Sequence, residues 1–142
     1  HPMIKESTGR IMQPYEKLLR KYLFKEALDF VLAKSDVVLT ISLLEDLAIR
    51  CALGLALEGR NNQELLPILN FILKNILNPR YNLHLFTVFE IILDKYAVVL
   101  GRAPEVDELV LNIHLKLKNE LDLQEQMFKL AGALEMVMTT TG

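Results

Sequence analysis

The stretch NNQELLPILNFILKNILNPR, residues 61–80, decides the fold class. Asn61 with Glu64 three residues on is a capping-box start, in which side chains and backbone N–H groups satisfy one another reciprocally. Leu65, Leu66, Ile68, Leu69, Phe71, Ile72, Leu73, Ile76 and Leu77 then recur with helical spacing. At 100° per residue they cover an arc of about 240°, well beyond the stripe of an ordinary surface helix. Asn78-Pro79-Arg80 stops the pattern, because proline lacks an N–H and disfavours helical geometry in the residue before it. The spacing therefore predicts a helix over residues 63–77 that is sandwiched between others.

Working outward, every periodic segment reads the same way. Downstream, residues 82–100 form a second helix apolar over most of its circumference, with Thr87, Glu90 and Asp94 on a narrow polar strip. Gly101 ends it and Pro104 opens a last helical segment over residues 105–138, with residues 119–122 or Gly132 as candidate breaks. Leu109, Val110, Ile113, Leu117 and Leu121 share one stripe there. Leu111 and Leu115 project elsewhere, and beyond Leu123 the apolar arc rotates through Met127, Leu130, Leu134 and Met138. Upstream, Gly59 fits the position after a helix over residues 52–58. Asp36 is the expected N-cap of a helix over residues 37–50. Residues 25–34 carry Ala27, Leu28, Val31 and Leu32 on one face, and Pro14 opens a short helix to about Phe24. No stretch alternates apolar and polar residues for long. The expected fold is all-α: a compact domain of about six to seven helices with orthogonal or solenoid-like packing and no sheet. No internal repeat of ~34 or ~40 residues supports a tetratricopeptide or HEAT array.

Composition sets the outer bounds. With 142 residues, 51% of them hydrophobic and 29 of them leucine, the chain predicts one ordered domain with a large apolar surface. Its longest uncharged runs, residues 65–73 and 81–89, are nine residues each, against the ~20 needed to span a bilayer. The start, His1-Pro2-Met3-Ile4-Lys5-Glu6, has no apolar signal core. It reads as an expression remnant, with residues 1–12 as remnant and linker, 13–138 as a helical interaction domain and 139–142 as a disordered tail. The single cysteine, Cys51, lies in an apolar run and is expected to be a small buried hydrophobe.

Chemistry-bearing constellations are sparse. His84 and His114 have no metal-ligand partner at helical spacing, and no nucleophile sits beside a base. Glu90 and Asp94 are paired at i, i+4 but read as the solvated edge of a helix. No catalytic, cofactor-binding or metal-binding residue is expected, no cofactor and no small-molecule substrate. A net charge of −2 argues against a globally basic nucleic-acid binder. Locally, however, residues 1–34 carry seven Lys/Arg and four Asp/Glu, while residues 101–142 carry four and seven. Lys17, Arg20, Lys21 and Lys25 form a candidate basic patch interleaved with Tyr15 and Tyr22, which suits phosphates and bases. The plainer reading is the wet face of an amphipathic helix. A third is docking of one chain's basic start on a sister domain's acidic end.

The order of landmarks adds a resemblance. The run from Tyr15 to Asp29, YEKLLRKYLFKEALD, resembles the opening of the C-terminal helical domain of the U-three small nucleolar RNA-associated protein fifteen family. Ala56-Leu57-Glu58-Gly59-Arg60 before Leu65-Leu66-Pro67-Ile68-Leu69-Asn70-Phe71 is similar to the same family. So are Pro79-Arg80-Tyr81, Ile91-Ile92-Leu93-Asp94-Lys95-Tyr96 with Gly101 and Pro104, and Gln124 with Gly132-Ala133-Leu134. Asn61 and Asn62 depart from it, since the family carries acidic residues after the Gly-Arg pair. The resemblance implies the tail of a WD-repeat subunit of the UtpA (t-UTP) part of the small-subunit processome, behind a seven-bladed propeller. Such a tail packs against the helical C-terminal domains of other UtpA subunits, or on itself when isolated. The implied setting is the nucleolus, pre-18S rRNA processing and ribosomal DNA transcription, with pre-rRNA reached mainly through the complex and no membrane involved.

From the residues themselves comes a non-catalytic protein–protein interaction domain with surplus apolar surface. Its candidate interface is Leu109, Leu111, Leu115, Leu123, Met127, Leu130, Leu134 and Met138. The alternatives are an RNA-binding domain using the basic N-terminal helix, or a generic helical oligomerisation domain.

Overall fold

A computed structural model describes residues 13–141, and among these residues there are seven helices and no strand. They are α1 Glu16–Arg20, α2 Phe24–Ala33, α3 Val37–Ile49, α4 Leu53–Leu57, α5 Asn62–Asn75, α6 Asn82–Lys95 and α7 Pro104–Thr141. The all-α expectation is met. Residues 1–12, expected as remnant and linker, and Gly142 lie outside the described residues. Where length alone suggests one domain, the contacts resolve two units, one up to Gly59 and one from Arg60 onward.

In the first unit α2 packs on α1, α3 and α4. Ala27, Leu28 and Val31 on α2 and Leu43, Leu44 and Leu47 on α3 are buried, as a 3.6-residue period requires. Asp36 caps α3, its side chain accepting from the Leu39 backbone N–H at 3.1 Å. Three helix ends here are closed by residues in the left-handed region: Tyr22 (φ 60°), Ser35 (φ 55°) and Cys51 (φ 55°). At α1 the Tyr22 N–H donates to Leu19 O at 3.0 Å and the Leu23 N–H to Leu18 O at 2.9 Å. Cys51 and Ala52 repeat this pair on Ala48 O and Leu47 O at 3.1 and 2.8 Å. Both are Schellman caps built without glycine. Cys51 is consequently exposed rather than buried, because a residue after the last helical turn leaves the apolar face its sequence neighbours share.

In the second unit α5 is the common partner of α6 and α7. The predicted capping box is present, with Asn61 Oδ1 accepting from the Glu64 N–H at 2.8 Å and Glu64 Oε1 from the Asn61 N–H at 3.1 Å. Leu65, Ile68, Leu69 and Ile72 are buried, as are Leu85, Val88, Phe89 and Ile92 of α6. The sandwich expected of these helices is incomplete: Leu66, Phe71, Leu73, Ile91 and Leu93 are half-buried, and Leu83 and Phe86 are exposed. Pro67 stands inside α5 on an exposed position, where water can take up the carbonyl it leaves unpaired.

Helix boundaries differ from expectation in both units: α1 ends at Arg20 rather than near Phe24, closed by its left-handed cap at Tyr22. α6 ends at Lys95, not near Leu100, because Tyr96 turns inward and its hydroxyl accepts the buried Arg60 backbone N–H at 2.9 Å. α7 is one unbroken helix of 38 residues, about 57 Å long at ~1.5 Å per residue. Neither residues 119–122 nor Gly132 interrupts it, and a Cβ at Gly132 would meet nothing. Thr139, Thr140 and Thr141, which the sequence places in a disordered tail, continue the helix. The hydroxyls of Thr139 and Thr140 donate to the Met136 carbonyl.

Candidate functional site

α7 divides along its length into a packed half and a bare half. In the first, Val106 and Ile113 are fully buried, and the Lys116 ammonium donates to Leu73 O at 2.6 Å. That contact places a cation on the last turn of α5, where unpaired carbonyls and the helix dipole favour it. From Leu121 to Thr140 every residue is exposed. This arm is about 30 Å long and carries Leu123, Met127, Leu130, Leu134 and Val137, each more than half exposed.

Five of the arm's apolar residues are ordered into one seam, while Leu121, Phe128 and Met136 are exposed away from it. Leu123, Met127, Leu130, Leu134 and Val137 alternate steps of four and three, the heptad spacing that turns one seam toward a partner helix. Traced backward the same rule passes through Glu120, Lys116, Ile113, Leu109 and Val106, so the seam buried in the unit runs on into solvent. A seven-residue repeat drifts by ~20° per heptad on a straight helix, which is the rotation of the arc noted in the sequence. Ala131 and Met138 widen the seam on one side. Charged neighbours are few, and Lys129 and Glu125 pair with each other at 3.7 Å on the outer face.

Of the eight candidate interface residues, five share this bare seam: Leu123, Met127, Leu130, Leu134 and Met138. Leu109 is half-buried in the packed part, while Leu111 and Leu115 are exposed roughly opposite Val106 and Ile113. Leu111 lines a separate shallow groove of ≈ 260 Å³ with Phe89, Leu93, Leu100, Val110 and His114. Sequence reasoning missed Val137, which the four–three spacing identifies.

The basic patch lies in the first unit. Lys17, Arg20 and Lys21 are exposed on and just after α1, and Lys25 is half-buried in the first turn of α2. Glu16 reaches Arg20 loosely, at 3.9 Å. Its two tyrosines separate completely. Tyr15 has no exposed surface, and its hydroxyl donates to Asp46 Oδ2 at 2.8 Å and lies 3.0 Å from Ser42 Oγ. Burial, reinforced by Asp46, pushes its phenol up to about 12. Tyr15 is thus a structural tie and not a stacking surface. Tyr22 is 78% exposed.

Among the described residues no group of His, Cys, Asp and Glu could hold a metal ion, and no helix is long and apolar enough to cross a membrane. Glu90 and Asp94 are both exposed, and His84 and His114 stand apart on α6 and α7. An exposed apolar seam on a long helix is the prominent feature of the second unit.

A family model described as UTP15 C terminal matches residues 1–137. The chain belongs to this family. U3 small nucleolar RNA-associated protein 15 homologs from Mus musculus and Danio rerio are 30% and 31% identical to it, each over 97% of the chain. U3 small nucleolar RNA-associated protein 15 of Schizosaccharomyces pombe is 31% identical over 94%. The chain spans 27% of the length of the mouse and yeast relatives and 28% of the zebrafish one. Within the UTP15 C-terminal family, then, this chain presents a helical unit whose last helix offers a bare heptad seam.

Proposed function

We propose that the chain is a non-catalytic docking domain of a ribosome-biogenesis factor that works in rRNA processing within a U3 small nucleolar ribonucleoprotein assembly. The names of its relatives support that setting. In the finer reading it is the tail of a WD-repeat subunit of UtpA, acting in the nucleolus on pre-18S rRNA maturation and ribosomal DNA transcription. Its residues 13–138 serve as the interaction domain. The observation that carries the reading is the exposed seam Leu123, Met127, Leu130, Leu134 and Met138. Contiguous apolar surface of this kind marks an interaction site. Burying it at ~25 cal/mol per Å² outweighs any ion pair at its rim. The partners are the helical C-terminal domains of other UtpA subunits.

Co-expression with those domains, followed by size-exclusion chromatography with light scattering, tests the proposal. The wild-type chain should co-migrate with at least one of them, and the Leu130→Asp/Leu134→Asp pair should not, with its melting temperature unchanged because both side chains face water. Co-migration of the double variant would sink the assignment of the seam. A concentration-dependent doubling of mass for the chain alone, with no heteromeric complex, would instead establish the oligomerisation reading.

A further inference from the structure

The docking reading leaves the first unit's exposed aromatic ledge unused, and this further inference is independent of it. Tyr22 follows α1 at the left-handed position of its Schellman cap, where glycine is the residue without steric cost. The chain instead places there a large ring that is 78% exposed. Phe24 packs against it in a T-shaped arrangement, with ring centroids 6.1 Å apart and planes at 76°, a contact that leaves Tyr22 78% exposed. An open groove of ≈ 430 Å³ runs beside them, lined by Tyr22, Phe24, Lys25, Glu26 and Leu55. Lys17, Arg20 and Lys21 stand exposed on the adjoining helix and its cap.

From this juxtaposition we propose that Tyr22 is a stacking platform for a base of a single-stranded polynucleotide whose phosphates are met by Lys17, Lys21 and Lys25. Single-strand sites pair aromatic faces with a positively charged track, because every base has a π-face and every nucleotide a negative charge. A duplex does not fit, since its bases are already stacked and an exposed ring cannot reach between them without unstacking them. An acidic peptide would match the lysines and make no use of the bare ring. Neither the charge count nor the periodicity of α1 distinguishes these ligands; the outward ring at the cap does.

The test uses the chain and fluorescence anisotropy with labelled oligouridylate, oligothymidylate and a duplex of equal length. The informative variant is Tyr22→Gly, which suits a left-handed backbone and deletes only the ring. Its melting temperature should match or exceed that of the wild type, while binding of the single strands weakens about tenfold or more. Tyr22→Phe should bind as the wild type does. Lys21→Gln should reduce the slope of log affinity against log salt by about 0.7, one phosphate contact's share on a single strand. Tighter binding of oligouridylate than of oligothymidylate would assign the ligand as RNA, and equal binding would assign the shared single-strand chemistry. Undiminished binding by Tyr22→Gly, equal affinity for the duplex, or displacement of the oligonucleotide by a polyglutamate peptide at matched charge would each overturn the proposal.

Discussion

Tyr15 shows how much one side chain can hold. Its ring is sealed in the first unit and its hydroxyl joins a residue just before α1 to Ser42 and Asp46 on α3. Tyr15→Phe keeps the packing but leaves Asp46 short of a donor, and should cost about 1–2 kcal/mol in a denaturant titration. The raised phenol fixes a pH dependence. In the unfolded chain Tyr15 ionises near 10, in the folded chain only at about 12. Its contribution is therefore fully present below pH 10 and is lost as the pH rises through 12. Stability curves of the wild type and Tyr15→Phe should converge over that alkaline window. If they stay parallel, the Tyr15 phenol is not raised in the folded chain. Cys51 makes the complementary case. A left-handed Cβ costs ~1–2 kcal/mol, and glycine's extra unfolded-state freedom offsets part of that gain. Cys51→Gly should stabilise the chain by about 0.5–1 kcal/mol, measured by the same titration.

Among the elements, α5 and α7 carry the second unit in different ways. α5 is fixed at its start by the Asn61–Glu64 box, and Asn61→Ala should cost about 1 kcal/mol of stability. Leu65, Leu69 and Ile72 are its buried stripe. α7 packs for little more than its first four turns and then continues alone. A helix of about 20 residues in water is marginal when nothing packs on it. Hydrogen exchange on the isolated chain should therefore show slow amides around Ile113 and fast ones from Leu123 to Val137. Protection of the arm should rise when a docking partner is added. Uniformly slow exchange along all of α7 without a partner would mean that the arm is already covered, and would remove the seam from consideration.

At the scale of the whole molecule, the two units are legible in unequal degree. Glycine and proline punctuate the boundary and the second unit: Gly59 (φ 67°), the last residue of the first unit, and Gly101 (φ 89°) in the second take left-handed conformations, and Pro104 opens α7 as expected. The first unit closes three helices with Tyr22, Ser35 and Cys51, and rules that look for glycine have nothing to find there. Hence the sequence runs the first helix on to about Phe24, and places Cys51 inside. The heptad seam was readable along the chain, because spacing is a property of sequence. Its exposure was not, because a stripe of Leu and Met reads the same whether a neighbour covers it or water does.

Sequence alone determined the helical class, the capping box, the N-cap at Asp36, the start of α7 and the rotating apolar arc beyond Leu123. These are local: each depends on a residue and its neighbours within about one helical turn, where propensity, capping and periodicity act. Only the tertiary structure decided which of two similar tyrosines is a buried tie and which an open ledge, and where α6 stops. It also decided that α7 runs unbroken past the surface that packs its first half. Those outcomes depend on which distant groups come within hydrogen-bonding or van der Waals reach, as Tyr15 does with Asp46 and Tyr96 with Arg60. Spacing along one chain does not encode that meeting.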